Sequence, residues 1–284
     1  PSHALGIIAG YQGNHHDEFD EFNLQFPWLS IFWDLEIADD TWVRFQPFAG
    51  YSWLEEDAFL AQGGGSIALS HRFTDDFFGQ LFTRANVNDF RFSIQRDPVL
   101  DVIDQNNAAQ VAAMVANAEL SNFGNDARRR RDRDGIQLEV GLEGTYRFEL
   151  IENLEGAFRL GGLVDRYEAD GDDWTRNGTR AYAELKHDLP FDFRIQLWGS
   201  HSYHPYENRS SFAGSALFAT WQGADRTDRI WLGRAELFYD VTEWLTLSAR
   251  YQASDQDSNV RVFDFTREIV GGYVTLHWDD YLRD

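Results

Sequence analysis

The sequence predicts an all-β chain: a transmembrane, antiparallel, up-and-down β-barrel of about twelve strands, a single domain over residues 1–284, with one long loop at 93–135 carrying a short helix. Three observations predict it. Apolar and polar residues alternate strictly over long runs. The runs reach about a dozen residues, whereas soluble strands average about five or six. Aromatic residues gather at the ends of the runs, where amphipathic rings meet a headgroup layer, and not in their middles.

The alternation is clearest at 136–148, where Ile136, Leu138, Val140, Leu142, Gly144, Tyr146 and Phe148 share one face and Gln137, Glu139, Gly141, Glu143, Thr145 and Arg147 the other. The run at 154–168 repeats the pattern, with Leu154, Phe158, Leu160 and Val164 opposite Glu155, Arg159 and Asp165. Further strands are expected at 4–13, 24–38, 41–53, 63–73, 77–92, 178–188, 192–204, 229–239, 244–256 and 264–278. Pro27, Pro47 and Pro98 sit awkwardly in this scheme, because proline cannot donate to a ladder. Gly63-Gly64-Gly65 reads as a loop or bulge before its strand.

Connections alternate in length. Tight turns are expected at Asp39-Asp40, Asp75-Asp76, Glu149–Asn153, Leu189–Phe191 and Asp240–Glu243, and longer loops at 14–23, 54–62, 93–135, 169–177, 205–228 and 257–263. Short turns on one rim and long loops on the other fit a barrel in the outer membrane of a Gram-negative bacterium, with both chain ends on the periplasmic side. Trp42, Phe77, Phe148, Phe193, Tyr239, Trp244 and Trp278 lie beside the short turns; Tyr11, Tyr51, Trp53, Tyr167, Tyr203 and Tyr251 lie toward the long loops. The last run, Ile269 to Trp278, ends on an aromatic residue and resembles the C-terminal signal of outer-membrane barrels, with Asp279–Asp284 trailing beyond it. The rival reading is a soluble β-sandwich or closed barrel, since a soluble antiparallel sheet also has one apolar face.

Composition narrows the function. Asp and Glu number 47 against 25 Lys and Arg, a net charge of −22, so nucleic-acid phosphate is not an expected partner. The aromatic content of 15% marks a folded chain and not an acidic disordered one. No cysteine is present, which excludes a disulfide framework and a thiolate site. No stretch reads as a membrane-spanning helix or as a signal peptide; either a leader has been removed or the chain is a piece of a longer one.

If the apolar face meets lipid, the other face lines the interior. The residues expected to line the lumen are Arg44, Arg72, Arg84, Glu139, Glu143, Arg147, Arg159, Glu184, Arg194, Arg234, Glu236 and Arg250. Arg180, Lys186, Arg267, Asp34, Glu36, Glu155, Asp165 and Asp192 join them on the same face. The interior is therefore charged but nearly balanced, and the loops carry most of the acidity. Such arginines either guide an anionic solute or pair with the inward carboxylates and fill the barrel; burial favours pairing. Twelve strands lie between the filled eight-stranded and the channel-forming sixteen-stranded barrel, so any pore is narrow.

Within 93–135, Asp104–Leu120 is alanine-rich and helix-favouring, with Val111, Met114, Val115 and Ala118 on one face. It either folds into the mouth or caps the outside. Arg128-Arg129-Arg130-Arg131-Asp132-Arg133 follows, either a site for lipopolysaccharide phosphates or a solvated loop.

Chemistry-bearing motifs are few. Ser200-His201-Ser202-Tyr203-His204 invites comparison with a twelve-stranded outer-membrane phospholipase that uses a lipid-facing His/Ser pair. Here Ser202 and His204 share a face in the reverse order, and no Asn-Gly follows, although Asn208 stands near enough in sequence to orient a base. His15-His16-Asp17-Glu18, Asp170-Gly171-Asp172-Asp173 and Asp255–Asn259 offer oxygen ligands without the spacing of a calcium loop. No catalytic residue, metal or cofactor is expected, and the chain reads as a non-enzyme.

Tyr251-Gln252-Ala253-Ser254-Asp255-Gln256-Asp257-Ser258-Asn259-Val260, then Phe263-Asp264-Phe265-Thr266-Arg267-Glu268-Ile269-Val270-Gly271, resembles the last hairpin of outer-membrane barrels that follow periplasmic tetratricopeptide repeats. Tyr206-Glu207-Asn208-Arg209-Ser210-Ser211-Phe212 with Arg226-Thr227-Asp228 is similar to another loop of that group. The resemblance covers the last third of the chain. It implies a Gram-negative outer-membrane barrel in an export or secretion system, with outer-membrane lipid, lipopolysaccharide and envelope proteins as partners. The expected function is a narrow conduit or export port; the alternatives are a closed barrel that anchors or assembles partners, and a phospholipase-like enzyme.

Overall fold

The computed structural model describes residues 3–13, 24–54, 57–90, 132–151, 154–210 and 224–276. Twelve strands lie in one sheet in sequence order: β1 His3–Gly13, β2 Leu24–Ala38, β3 Thr41–Leu54, β4 Asp57–Arg72, β5 Phe77–Phe90, β6 Gly135–Ile151, β7 Leu154–Ala169, β8 Arg176–Leu189, β9 Phe193–Ser210, β10 Ala224–Thr242, β11 Leu245–Ser258 and β12 Phe265–Leu276. Eleven antiparallel ladders join consecutive strands. This is the up-and-down barrel topology that the alternation predicts. The helix-favouring segment Asp104–Leu120 and the basic run Arg128–Arg131 lie outside the described residues.

The sheet is inside-out relative to a soluble protein. On β6, Leu138, Val140 and Leu142 are 53%, 50% and 66% exposed, while Glu139 between them is 5% exposed. Among the described residues four apolar side chains are buried (Ala68, Phe82, Leu163, Val260) against eighteen polar or charged ones. A sheet that turns its leucines outward and its carboxylates inward has no apolar core to fold around in water. It is stable where hydrocarbon solvates the outer face. Among the described residues no helix is long and apolar enough to cross a membrane. The outward rings Phe77, Tyr146, Phe193, Tyr239 and Trp244 sit near the short turns, and Tyr11, Tyr203, Trp231 and Tyr251 toward the opposite rim.

The structure corrects two local expectations. Gly63-Gly64-Gly65 lies in the middle of β4, which begins at Asp57, and only residues 55–56 separate β3 from β4, so the connection expected at 54–62 is not long. The glycines let strands pack closely: a Cβ on Gly64 would stand 2.2 Å from the Ala85 carbonyl oxygen and 2.9 Å from the Asn86 Cα. Backbone cannot yield as a side-chain tip can. Gly64→Ala is therefore expected to cost about 1–3 kcal/mol, typical of overpacking, read as an earlier urea midpoint for unfolding from bilayers, whereas Gly233→Ala, with open space around it, leaves the midpoint unchanged.

β9 and β10 run six and three residues past their expected ends at 204 and 239, and β10 also starts five residues before 229. Their outer portions carry Pro205, Glu207, Arg209, Asp225 and Thr227. These portions rise above the hydrocarbon into water, where the apolar alternation that marks the buried span stops.

Candidate functional site: the barrel interior

The inner face divides into a charged sector, an outer clasp and an aromatic sector. In the charged sector six of the arginines expected in the lumen, Arg44, Arg72, Arg84, Arg159, Arg194 and Arg250, meet a carboxylate. Near the short turns, Arg44 holds Asp34 through two hydrogen bonds of 2.6 and 2.7 Å, Arg72 bonds Asp40, and Arg194 lies 3.8 Å from Asp240. Asp192, in the turn after β8 with a left-handed backbone and its carbonyl bonded by the Asp240 amide, lines a cavity with Arg194, Asp240 and Thr246 at this rim. At mid-height Arg84 donates to Glu139 at 2.8 Å. Arg159 lies 3.8 Å from Glu143 and 4.0 Å from Glu184. Glu184 also accepts from Gln196 at 2.7 Å and faces Lys186 at 3.3 Å, and Tyr182 donates to Glu143 at 2.6 Å. Glu236 takes Arg250 at 2.8 Å and Ser248 at 2.7 Å. Arg147 and Arg234 instead lie over the rings of Phe78 (4.5 Å) and Trp198 (5.8 Å). The pairing reading, not a free arginine row, describes this sector.

Toward the long loops, Ser202 and His204 are both buried on the inner face, and Ser202 accepts from Arg180 at 3.0 Å. His201 points the other way and packs on Trp231 at 4.2 Å. The lipid-facing His/Ser arrangement of the phospholipase comparison is therefore absent: the strand's parity places this pair inside, among Arg176, Arg180 and Asp165.

The outer clasp is built from residues outside those expected to line the lumen. A register shift between Asp225 and Thr227 aims Arg226 and Asp228 inward together. Arg226 donates to Asp228 from Nε (3.0 Å) and Nη2 (2.5 Å). Its guanidinium sits 3.3 Å from the Phe263 ring centroid, 4.1 Å from Tyr206 and 5.3 Å from Trp174. Asp228 also accepts from Ser258 (2.7 Å), Gln256 (3.1 Å) and Tyr206 (3.3 Å). Asn259 closes the rim, accepting from the Thr227 amide and donating to the Asp225 carbonyl. Tyr206, Arg226, Asp228, Ser258, Asn259 and Phe263 come from the very strings that carry the family resemblance; the signal was in the sequence, but the assembly was not.

On the same rim the carboxylates of Asp132, Asp134 and Asp170 lie within 4.8 Å of one another. Burial, then repulsion from Asp132, Asp89 and Asp170, raises the Asp134 carboxyl above the ordinary aspartate range, against the hydrogen bond it accepts from the Phe90 amide. Asp170 thus belongs to an acidic patch assembled from two loops, not to a calcium loop of its own.

The aromatic sector spans β2 to β5. Phe26, Trp28, Ser30, Gln46, Phe48, Ser66 and Arg84 line a cavity of about 250 Å³. Gln46 donates to Ser30 at 3.0 Å, and Ser30 to the Pro47 carbonyl at 3.0 Å.

An apolar outer belt, a polar hydrogen-bonded interior and twelve consecutive antiparallel strands define an outer-membrane β-barrel. No family model and no curated protein matches the chain. Among solved structures it is similar to LpxR from Salmonella typhimurium, at 12% identity and a TM-score of 0.42, over 98% of this chain and 100% of that one. It is also similar to the copper transporter OprC, at 10% identity and a TM-score of 0.37 over 95% of this chain and 43% of that one. The ferric-catecholate import receptor Fiu from E. coli K12 matches at 6% identity and a TM-score of 0.34, over 96% of this chain and 57% of that one. These are remote likenesses of fold. The expectation of a non-enzyme is corrected: LpxR stands among the similar structures, and an outer-membrane barrel does not by itself mark a non-enzyme.

Proposed function

We propose that this chain is a narrow conduit through the outer membrane, serving export or transport across the envelope. In this reading Arg44, Arg72, Arg84, Glu139, Glu143, Arg147, Arg159, Glu184, Arg194, Arg234, Glu236 and Arg250 line the lumen, and most of them, through their ion pairs, form a rigid wall and not a moving charge relay. The passage follows the aromatic sector. The observation that carries the reading is the cavity of about 250 Å³ along β2 to β5, where Arg84 is the one ion-paired side chain among the lining residues. Lipopolysaccharide against the outer belt and a periplasmic helical-repeat partner, as the resemblance of the C-terminal strings implies, belong to the same proposal.

Purified protein in planar bilayers is expected to give small, discrete single-channel steps, well below those of a sixteen-stranded porin. A folded barrel that inserts and stays silent overturns the conduit. The ion pairing of the charged sector favours a second reading, a filled barrel that anchors partners; it predicts that silence together with a stable co-purifying envelope protein.

A further inference from the structure

The interior rings of β2 lie flat against the barrel wall. A Cβ on Gly10 would meet three atoms of the Trp28 indole at 2.3–2.4 Å, one on Gly6 would meet the Phe32 ring at 2.2–2.3 Å, and one on Gly50 would meet Phe26 at 2.7–2.8 Å. Each ring therefore covers the α-carbon of a glycine on the neighbouring strand. With one ring face on the wall, the other faces the interior at Phe26 and Trp28, whereas at Phe32 the Arg44 guanidinium lies over it, 4.8 Å from the ring centroid. Phe26 and Trp28 are two residues apart, about 7 Å along a strand, and Phe32 is four further on. Phe48 pairs with Ser30 from β3 and brings a fourth ring between them. Hydroxyl and amide groups stand beside the rings: Ser30, Ser66 and Gln46.

We infer that this aromatic sector is a saccharide-binding platform, built to take a neutral glycan chain along β2. A pyranose ring has an apolar C–H face that stacks on an aromatic face and an equatorial rim of hydroxyls that needs donors and acceptors beside it. Flat rings at strand spacing flanked by Ser and Gln supply both. A polyanion is disfavoured because Arg84, the one cation in the lining, is neutralised by Glu139 at 2.8 Å, and because the chain carries a net charge of −22. The assignment names the substrate class of the conduit proposed above and rests on that reading for its role in transport, but not for binding.

The test is calorimetric titration of the full chain, folded in detergent, with three neutral hexasaccharides (maltohexaose, cellohexaose and chitohexaose) and with hexagalacturonate. At least one neutral glycan is expected to bind saturably, and more tightly than hexagalacturonate. Trp28→Leu, which keeps an apolar cover over Gly10 but removes the ring face, is expected to weaken binding by about tenfold or more. Trp33→Leu, on the outer face, leaves it unchanged. Should Trp28→Leu not fold, Phe48→Leu reads the same loss. Absence of binding by all three neutral glycans, wild-type binding by the ring-deleted variant, or equal binding of hexagalacturonate overturns the inference. In bilayers, the binding glycan is expected to interrupt the current. Binding with electrical silence keeps the platform and removes the conduit; conductance without binding does the reverse.

Discussion

Asp228→Ala is expected to lower the unfolding free energy of the barrel by about 3–5 kcal/mol, the cost of leaving a buried charge without its partner. Arg226 is 3% exposed and Asp228 1% exposed, and three aromatic rings close over the guanidinium. The aspartate also takes hydrogen bonds from β9 and β11 and so ties together strands whose outer ends stand above the hydrocarbon. Loss should appear first at the outer rim, as proteolysis of the loops flanking β10 and β12, and then as an earlier midpoint in urea. Arg226→Met combined with Asp228→Leu removes both charges, and should recover a large part of the loss, because the deficit comes from the orphaned cation more than from the pair. Equal destabilisation by the single and double variants would show that packing, not charge, holds the rim.

Leu142→Arg is expected to cost about 2–4 kcal/mol in bilayers, the penalty for a cation at the midplane of a barrel's lipid face. Leu142 is 66% exposed at the middle of β6, opposite Leu81 on β5 and Gly162 on β7. In a water-facing sheet the same substitution at so exposed a position would change stability by less than about 0.5 kcal/mol. The experiment therefore separates the two readings that alternation alone leaves open. Leu150→Arg, 75% exposed at the short-turn end of β6, should cost much less, since the penalty falls away toward the interface.

Where hydrocarbon dictates the pattern, the sequence was legible. β2 matches its expected bounds, and β1, β3, β5 and β7 fall within two residues of theirs at each end, because within the bilayer every outward position must be apolar. The same rule misleads beyond the bilayer. β4, β9 and β10 were cut short where their ends enter water and any residue is allowed outward. Gly63-Gly64-Gly65 looked like a loop because glycine usually marks one; here it is the absence of a side chain that lets β4 approach Ala85 and Asn86. The charged inner face could be read by parity, and so could the partners of Arg44, Arg84 and Arg250, which lie directly across a ladder. The clasp could not. It gathers Trp174, Tyr206, Arg226 and Phe263 from four separate segments, and a register shift sets the direction of Arg226. The aromatic sector was hidden for a different reason: Phe26, Trp28 and Phe32 on the inner face look like the apolar face of a strand, and only the glycines opposite them, Gly50, Gly10 and Gly6, show rings laid on a wall.

The chain has no cysteine, so single spin labels can be placed at will. A scan of residues 136–148 in reconstituted bilayers, comparing relaxation by dissolved oxygen with relaxation by a water-soluble nickel complex, measures directly what solvates each face. Oxygen is predicted to dominate at 136, 138, 140 and 142 and to fall at 137, 139, 141 and 143, with a period of two. Nickel access at Leu138 and Leu142 equal to that at the rim would mean that water, not lipid, meets this face, and the barrel would not be a membrane protein.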